Sequence, residues 1–206
     1  MLAGTPYLPN GVLITIRSSA HLRGILLDWE RNPDPLVTDL TPAYDKILVE
    51  FRPGTPIEHA AEEIIARFDK IAPLPDNDAP PIVVDVEYNG EDLEKICRVK
   101  RLVRDEFIEL HTAPVYEVAM LGFSPGFPYL TGLDPRLHMP RRATPRPKVA
   151  AGSVAIGGSH AGIYSIESPG GWNLIGHTSE VLFNPEAEGG AMFLLKPGDR
   201  VRFQPA

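Results

Sequence analysis

Proline and glycine decide what the second half of this chain can become. From residue 115 onward they recur between short apolar runs, at 115–121, 153–156, 162–164, 181–183, 192–195 and 200–203. Proline ends or kinks a helix and glycine weakens one, so segments this short and this interrupted read as strands joined by turns. In Lys196-Pro197-Gly198-Asp199, proline and glycine hold the two central positions of a type II turn. Beyond it Val201 and Phe203 alternate with Arg200 and Arg202, one face in and one face out. Many short strands with regular turns mean a barrel or a sandwich. The 22 Pro and 18 Gly follow no collagen-like period, so they belong to turns.

Residues 1–80 are patterned differently. A β-branched run at 12–16 predicts a strand. Leu22, Ile25, Leu26 and Trp29 then recur at helical spacing, with Ser18 or Ser19 as cap and Asn32-Pro33 as stop. Two further strands are expected at 36–40 and 46–51. Thr55-Pro56-Ile57-Glu58 reads as a capping box with proline at the first helical position, and Ile57, Ala60, Ala61, Ile64, Ile65, Phe68 and Ile71 share one face of the helix behind it. This β-α-β-β-α layout predicts one sheet covered by two helices. The stretch 73–81 mixes prolines with Asp76, Asn77 and Asp78, a linker composition, and the domain boundary is placed there. The second domain, 81–206, opens with a strand at 82–86 and a helical stretch from Asp92 to about His111 in two pieces. The fold class expected is α+β.

Composition removes several functions. A net charge of −7 argues against general nucleic-acid binding, which depends on Lys and Arg to neutralise phosphates. One cysteine, Cys97, excludes an internal disulfide and a multi-cysteine metal site. No apolar stretch reaches the ~20 residues of a membrane span, and no basic-then-apolar leader opens the chain. A cytoplasmic protein is expected.

Gly122-Phe123-Ser124-Pro125-Gly126 matches the G-x-S-x-G nucleophile elbow, in which the residue after the serine donates its N–H to the oxyanion hole. Pro125 has no N–H, and the surroundings are all-β, so Ser124 is not expected to be a nucleophile. The wider run 121–130 holds Phe123, Phe127 and Tyr129 in a loop stiffened by two prolines and two glycines. Such a loop suits a binding cleft because ordering it loses little entropy, though a plug for the barrel would use the same residues. Arg136, Arg141, Arg142, Arg146 and Lys148 fall within 136–148 without an acidic residue. Arginine suits carboxylate or phosphate through its two-pronged donor geometry, while a charge run also serves as a solvated face. Ser168-Pro169-Gly170-Gly171-Trp172 is a tight turn presenting an indole, whether to a cleft or to the core. The glycine-rich run 157–162 lacks the Lys and Ser/Thr of a Walker A motif, and His138, His160 and His177 lack metal-ligand spacing. No nucleotide motif and no metal site are therefore predicted.

Together, residues 121–130, Pro140-Arg141-Arg142, Pro145-Arg146, 151–156, 162–164 and 168–172 resemble the carboxyltransferase-domain, subdomain C and D family. The similarity runs from about Val83 to Phe203, and Pro42-Ala43-Tyr44 before 47–49 looks familial too. That family includes B subunits of prokaryotic 5-oxoprolinase, a subunit once described as the first of allophanate hydrolase, and a sporulation-kinase inhibitor. The resemblance implies a small α/β domain followed by a cyclophilin-like antiparallel β-barrel. It also implies partnership with a homologous C subunit and an A subunit. The assembled hydrolase would open 5-oxoproline to glutamate with ATP, this chain being inactive alone. On that reading Arg141 and Arg146 carry the catalytic electrostatics at a carboxylate or phosphorylated intermediate. Phe123, Pro125, Gly126, Phe127, Tyr129, Gly170, Gly171, Trp172 and His177 would bind the substrate. The alternatives are a module that docks on a histidine kinase, and a carboxyltransferase or allophanate-type subunit of urea metabolism. Three departures from the family pattern stand out: His177 in place of an arginine, Ser159-His160-Ala161 in place of a polar stretch, and Arg98-Val99-Lys100 in place of a glycine-containing break.

Overall fold

The computed structural model describes residues 2–7, 9–74 and 80–206 and divides the chain into two units, Met1–Asp78 and Ala79–Ala206. The core of the expected linker, 75–79, lies outside the described residues.

The first unit runs β1 (Ala3–Tyr7), β2 (Gly11–Thr15), α1 (Ser19–Arg31), β3 (Val37–Ala43), β4 (Lys46–Phe51) and α2 (Ile57–Lys70). Its sheet has the order β1-β2-β4-β3, antiparallel throughout. Strand β1 was not expected from the sequence. It is an edge strand, exposed at all five positions, and Pro6 is tolerated there because an edge has one side free of ladder bonds. Ser18 caps α1, accepting from the His21 N–H at 3.2 Å. The capping box of α2 does not form. Pro56 occupies the cap position itself, and without an N–H it gives Glu58 nothing to bond. Ile14, Ile25, Ile47, Val49, Phe51 and Phe68 are the buried centre of this unit.

The second unit begins with β5 (Ile82–Val86), α3 (Leu93–Lys100) and α4 (Arg104–Thr112). Then come β6 (Tyr116–Leu121), β7 (Pro128–Thr131), β8 (Arg146–Val149), β9 (Ser153–Gly157), β10 (His160–Ile163), β11 (Ser168–Gly170), β12 (Asn173–His177) and β13 (Arg200–Pro205). Seven strands form one sheet in the order β12-β9-β10-β7-β6-β13-β5. Its two ends meet at Glu87 and His177, which exchange backbone hydrogen bonds of 2.8 and 2.9 Å and nearly close the barrel. The all-antiparallel barrel expected from the sequence is corrected here: β5 and β13 run parallel, so the sheet is mixed. A parallel pair needs a long crossover, and everything between β5 and β13 serves as one. The strands expected at 181–183 and 192–195 reduce to a single Phe183–Phe193 bridge, with Leu182 and Leu195 anchoring the segment in the core. Strands β8 and β11 form a separate two-stranded ribbon, with Arg146 opposite Gly170.

Helix α4 packs on β13 and α3 on β12. His111 fastens α4: its ring is fully buried, Nδ1 lies 2.8 Å from the Tyr88 hydroxyl, and its carbonyl accepts from the Tyr116 hydroxyl at 2.7 Å. Phe203 of β13 packs on the same ring at 4.6 Å between centroids.

Candidate functional site

Three segments distant in sequence converge beside the two-stranded ribbon. The loop between β6 and β7 turns on two left-handed residues, Phe123 (φ 69°) and Gly126 (φ 75°). Glycine adopts this conformation freely, whereas Phe123 does so at a cost of about 1–2 kcal/mol. The result is an aromatic ring left 62% exposed at the rim of a cleft. Phe127 is the buried hub below it. Its ring meets those of Phe123, Tyr129, Tyr164 and Trp172 edge to face at 5.2 to 5.4 Å, the geometry that aromatic quadrupoles favour.

Glycines make room for this cluster. A Cβ on Gly157 would sit 2.6 Å from the Trp172 indole, and one on Gly162 would sit 3.0 Å from both Trp172 and Phe127. The glycine-rich run that is no nucleotide motif is thus the seat of Trp172. A Cβ on Gly170 would collide with the Tyr164 hydroxyl at 2.0 Å. Burial pushes the Tyr164 phenol above its ordinary pKa, so it stays neutral at physiological pH.

The cleft also has a cationic side. Arg141, Arg142 and Pro145 line, together with the aromatic rings and with Pro169, Gly170 and Gly171, a cleft of about 440 Å³. Arg142 is held from behind: its Nη1 donates to Asp92 Oδ1 at 3.0 Å, and its backbone N–H donates to the Gly171 carbonyl at 2.8 Å. Asp92 is 4% exposed, and Oδ2 also accepts from Arg146 Nη2 and from the Leu174 N–H, each at 2.8 Å. Glu91 adds a second carboxylate to Arg146 at 3.1 Å. Arg141 is exposed at the cleft and has no hydrogen bond or ion pair among the described residues.

The sequence-predicted residues therefore separate into groups. Phe123, Phe127, Tyr129, Arg141, Gly170, Gly171 and Trp172 line the cleft. Arg146 lies behind it, bound to two carboxylates. Gly126 packs against Leu182, Phe183 and Phe193, and the Pro125 carbonyl accepts from the Ser165 hydroxyl at 2.5 Å. His177 lies at the seam of the barrel, its Nε2 3.1 Å from the Ala151 carbonyl. The Ser124 hydroxyl meets only that of Ser165, at 3.4 Å, which supplies no general base. Sequence reasoning missed Asp92, Glu91, Tyr164 and the lining role of Arg142. The available signal was Asn89-Gly90-Glu91-Asp92, in which Gly90 lets the loop press on β12: a Cβ there would lie 2.3 Å from the Ile175 backbone.

Among the described residues no group of three or more His, Cys, Asp or Glu side chains is placed to hold a metal ion. The cleft does not fit ATP either. A triphosphate needs a nest of backbone amides or several free cations, and Arg141 alone is unpaired. What the arrangement can hold is a small apolar body bearing an anionic group.

Residues 15–193 match the carboxyltransferase domain, subdomain C and D. The chain belongs to that family. It is 39% identical over 176 residues to the 5-oxoprolinase B subunit of Bacillus subtilis, covering 82% of this chain and 72% of that protein. It is 41% identical over 174 residues to the 5-oxoprolinase B subunit of Escherichia coli O157:H7, covering 83% and 79%. The crystal structure of TTHA0988 superposes with a TM-score of 0.82 at 33% identity, covering all of this chain and 41% of that one. This family member therefore spans about two-fifths of that solved chain.

Proposed function

We propose that this chain is the B subunit of a multi-subunit, ATP-dependent 5-oxoprolinase, a hydrolase that opens the lactam of 5-oxoproline to glutamate. The observation that carries this is the likeness to two 5-oxoprolinase B subunits, each covered over more than two-thirds of its length. The cleft supports it. 5-Oxoproline is a five-membered lactam bearing one carboxylate; Phe127, Tyr129 and Trp172 offer its ring an apolar wall, and Arg141 offers the carboxylate a two-pronged donor. Gly170 and Gly171 bring bare backbone close to the substrate beside that wall, a positioning role.

A homologous C subunit and an A subunit complete the enzyme on this reading. It is supported by the residues missing here: among those described, the cleft holds neither a general base nor a phosphate cradle. The second unit is read as a cyclophilin-like barrel, supported by its near-closed seven-stranded sheet and two covering helices.

The test is reconstitution. 5-Oxoproline-dependent glutamate release should require this chain, its two partners and ATP together. Turnover by this chain alone, or undiminished turnover without it, would defeat the proposal. Specific capture of a histidine kinase with no effect on lactam opening would favour the kinase-docking alternative instead.

A further inference from the structure

Of the five cations between Arg136 and Lys148, four are already paired. Arg136 bonds Asp134, Arg142 bonds Asp92, Arg146 bonds Asp92 and Glu91, and Lys148 bonds Glu167. Counting the cleft wall and the groups behind it, three guanidiniums, Arg141, Arg142 and Arg146, stand with two carboxylates, Asp92 and Glu91, which leaves one positive charge uncompensated. Asp92 is the centre of this balance. Its buried carboxylate fixes both Arg142 and Arg146 and is itself pinned by the Leu174 N–H.

We infer that the cleft is selective for a monoanion, a carboxylate on a small and largely apolar body, and rejects phosphoryl dianions and nucleotides. Asp92 is the positioning residue that sets this limit. Arg141 meets a carboxylate one charge to one charge, through two parallel hydrogen bonds. A phosphate dianion brings a second negative charge that no free cation answers, and the Asp92 and Glu91 carboxylates behind the arginines repel it. The apolar rings lining the same cleft limit the water that would screen this repulsion. The inference rests on the cleft being the ligand site of the proposed function, and it assigns the nucleotide step to a partner chain.

The experiment uses the full chain with Trp29→Phe, so that Trp172 is the only indole and its emission reports on the cleft. The probes are 5-oxoproline, its uncharged carboxamide, cyclopentanecarboxylate, inorganic phosphate and ATP. Both carboxylates should bind about ten- to a hundredfold more tightly than the carboxamide, the range of a charge-assisted contact. Phosphate and ATP should not displace them, and Arg141→Ala should erase the preference for the acid over the amide. Glu91→Gln, at an exposed side chain, and Asp92→Asn each leave a second uncompensated positive charge. Each should raise phosphate affinity relative to carboxylate about tenfold. Glu91→Gln keeps that arm readable should Asp92→Asn fail to fold.

Displacement of carboxylate by phosphate or ATP from the unaltered cleft would overturn the inference, as would no carboxylate response at all. So would weaker carboxylate binding in both variants with no gain for phosphate, because a merely structural Asp92 would give that result. The two readings fail separately. Monocarboxylate selectivity without lactam turnover by the reconstituted enzyme defeats the proposed function alone. Turnover with phosphate bound in this cleft defeats the selectivity alone.

Discussion

Acidification should destabilise the second unit chiefly through His111, with His160, whose pKa burial and the nearby His138 also lower, adding in the same direction. The His111 ring is enclosed by Phe107, Tyr116 and Phe203, and burial pushes its pKa down to about 3, against about 6.5 in an unfolded chain. Above pH ~6.5 the ring is neutral in both states and contributes no pH dependence. Below that the unfolded chain takes up a proton that the native chain refuses, so stability falls as the pH drops from about 6.5 towards about 3. The whole window is worth about 5 kcal/mol, and the part down to pH ~4.5 nearly 3 kcal/mol. Urea unfolding followed by Trp172 emission in the Trp29→Phe chain, at pH values from about 7.5 to about 4.5, measures it. Most carboxylates stay ionised across that range. Asp199, whose pKa burial raises, acts with the opposite sign, because its native form gains the proton more readily. His111→Gln keeps a polar group near Tyr88 but cannot titrate, so it should flatten the slope even from a lower starting stability. A wild-type midpoint independent of pH, or the same slope in His111→Gln, would refute the reasoning.

Three further outcomes are expected. Gly157→Ala forces a Cβ to within 2.6 Å of the Trp172 ring and should cost about 1–3 kcal/mol with a red-shifted indole emission; unchanged stability and emission would show that the seat is not tight. Ser124→Ala should stay within about 0.5 kcal/mol of the parent and keep most of the reconstituted activity, and a loss of about a thousandfold in kcat would restore the nucleophile elbow. Arg146→Lys should cost about 1–3 kcal/mol, because lysine cannot span Glu91 and Asp92 as the guanidinium does; urea titration checks this, and a neutral result would show the paired carboxylates to be indifferent to that geometry.

Both helices of the first unit were legible because each buries a continuous stripe, seen in Leu22 and Ile25 of α1 and in Ala60, Ala61, Ile64 and Phe68 of α2. Strand β1 was not, since an exposed edge strand carries no apolar alternation. The aromatic loop and the Gly170-Gly171-Trp172 turn left cleft and core equally open in the sequence, and the structure uses them for both: Phe127 and Trp172 are buried while Phe123 stands exposed at the rim. Their counterpart Asp92 was not legible. Its partners lie 50 and 54 residues away, and a carboxylate at the start of a helix looks like an ordinary cap until those partners are in place. The basic run likewise shows its charge in sequence but not its pairing, since Glu91, Asp92 and Glu167 come from outside it. The parallel run of β5 beside β13 is a matter of topology, which strand periodicity does not encode.

That parallel pair imposes an order on biosynthesis. The four strands of the first unit are all encoded by residue 51, so its sheet can assemble while the rest is still being made. Strand β5 emerges soon after but finds its ladder partner only when residues 201–205 appear, and Asp85 waits for Gln204 across 119 residues. Until then β5 and β6 both present unpaired backbone, the kind of edge on which nascent chains stick to one another. A stop codon just before residue 200 would leave the aromatic wall encoded in full and the barrel around it unclosed.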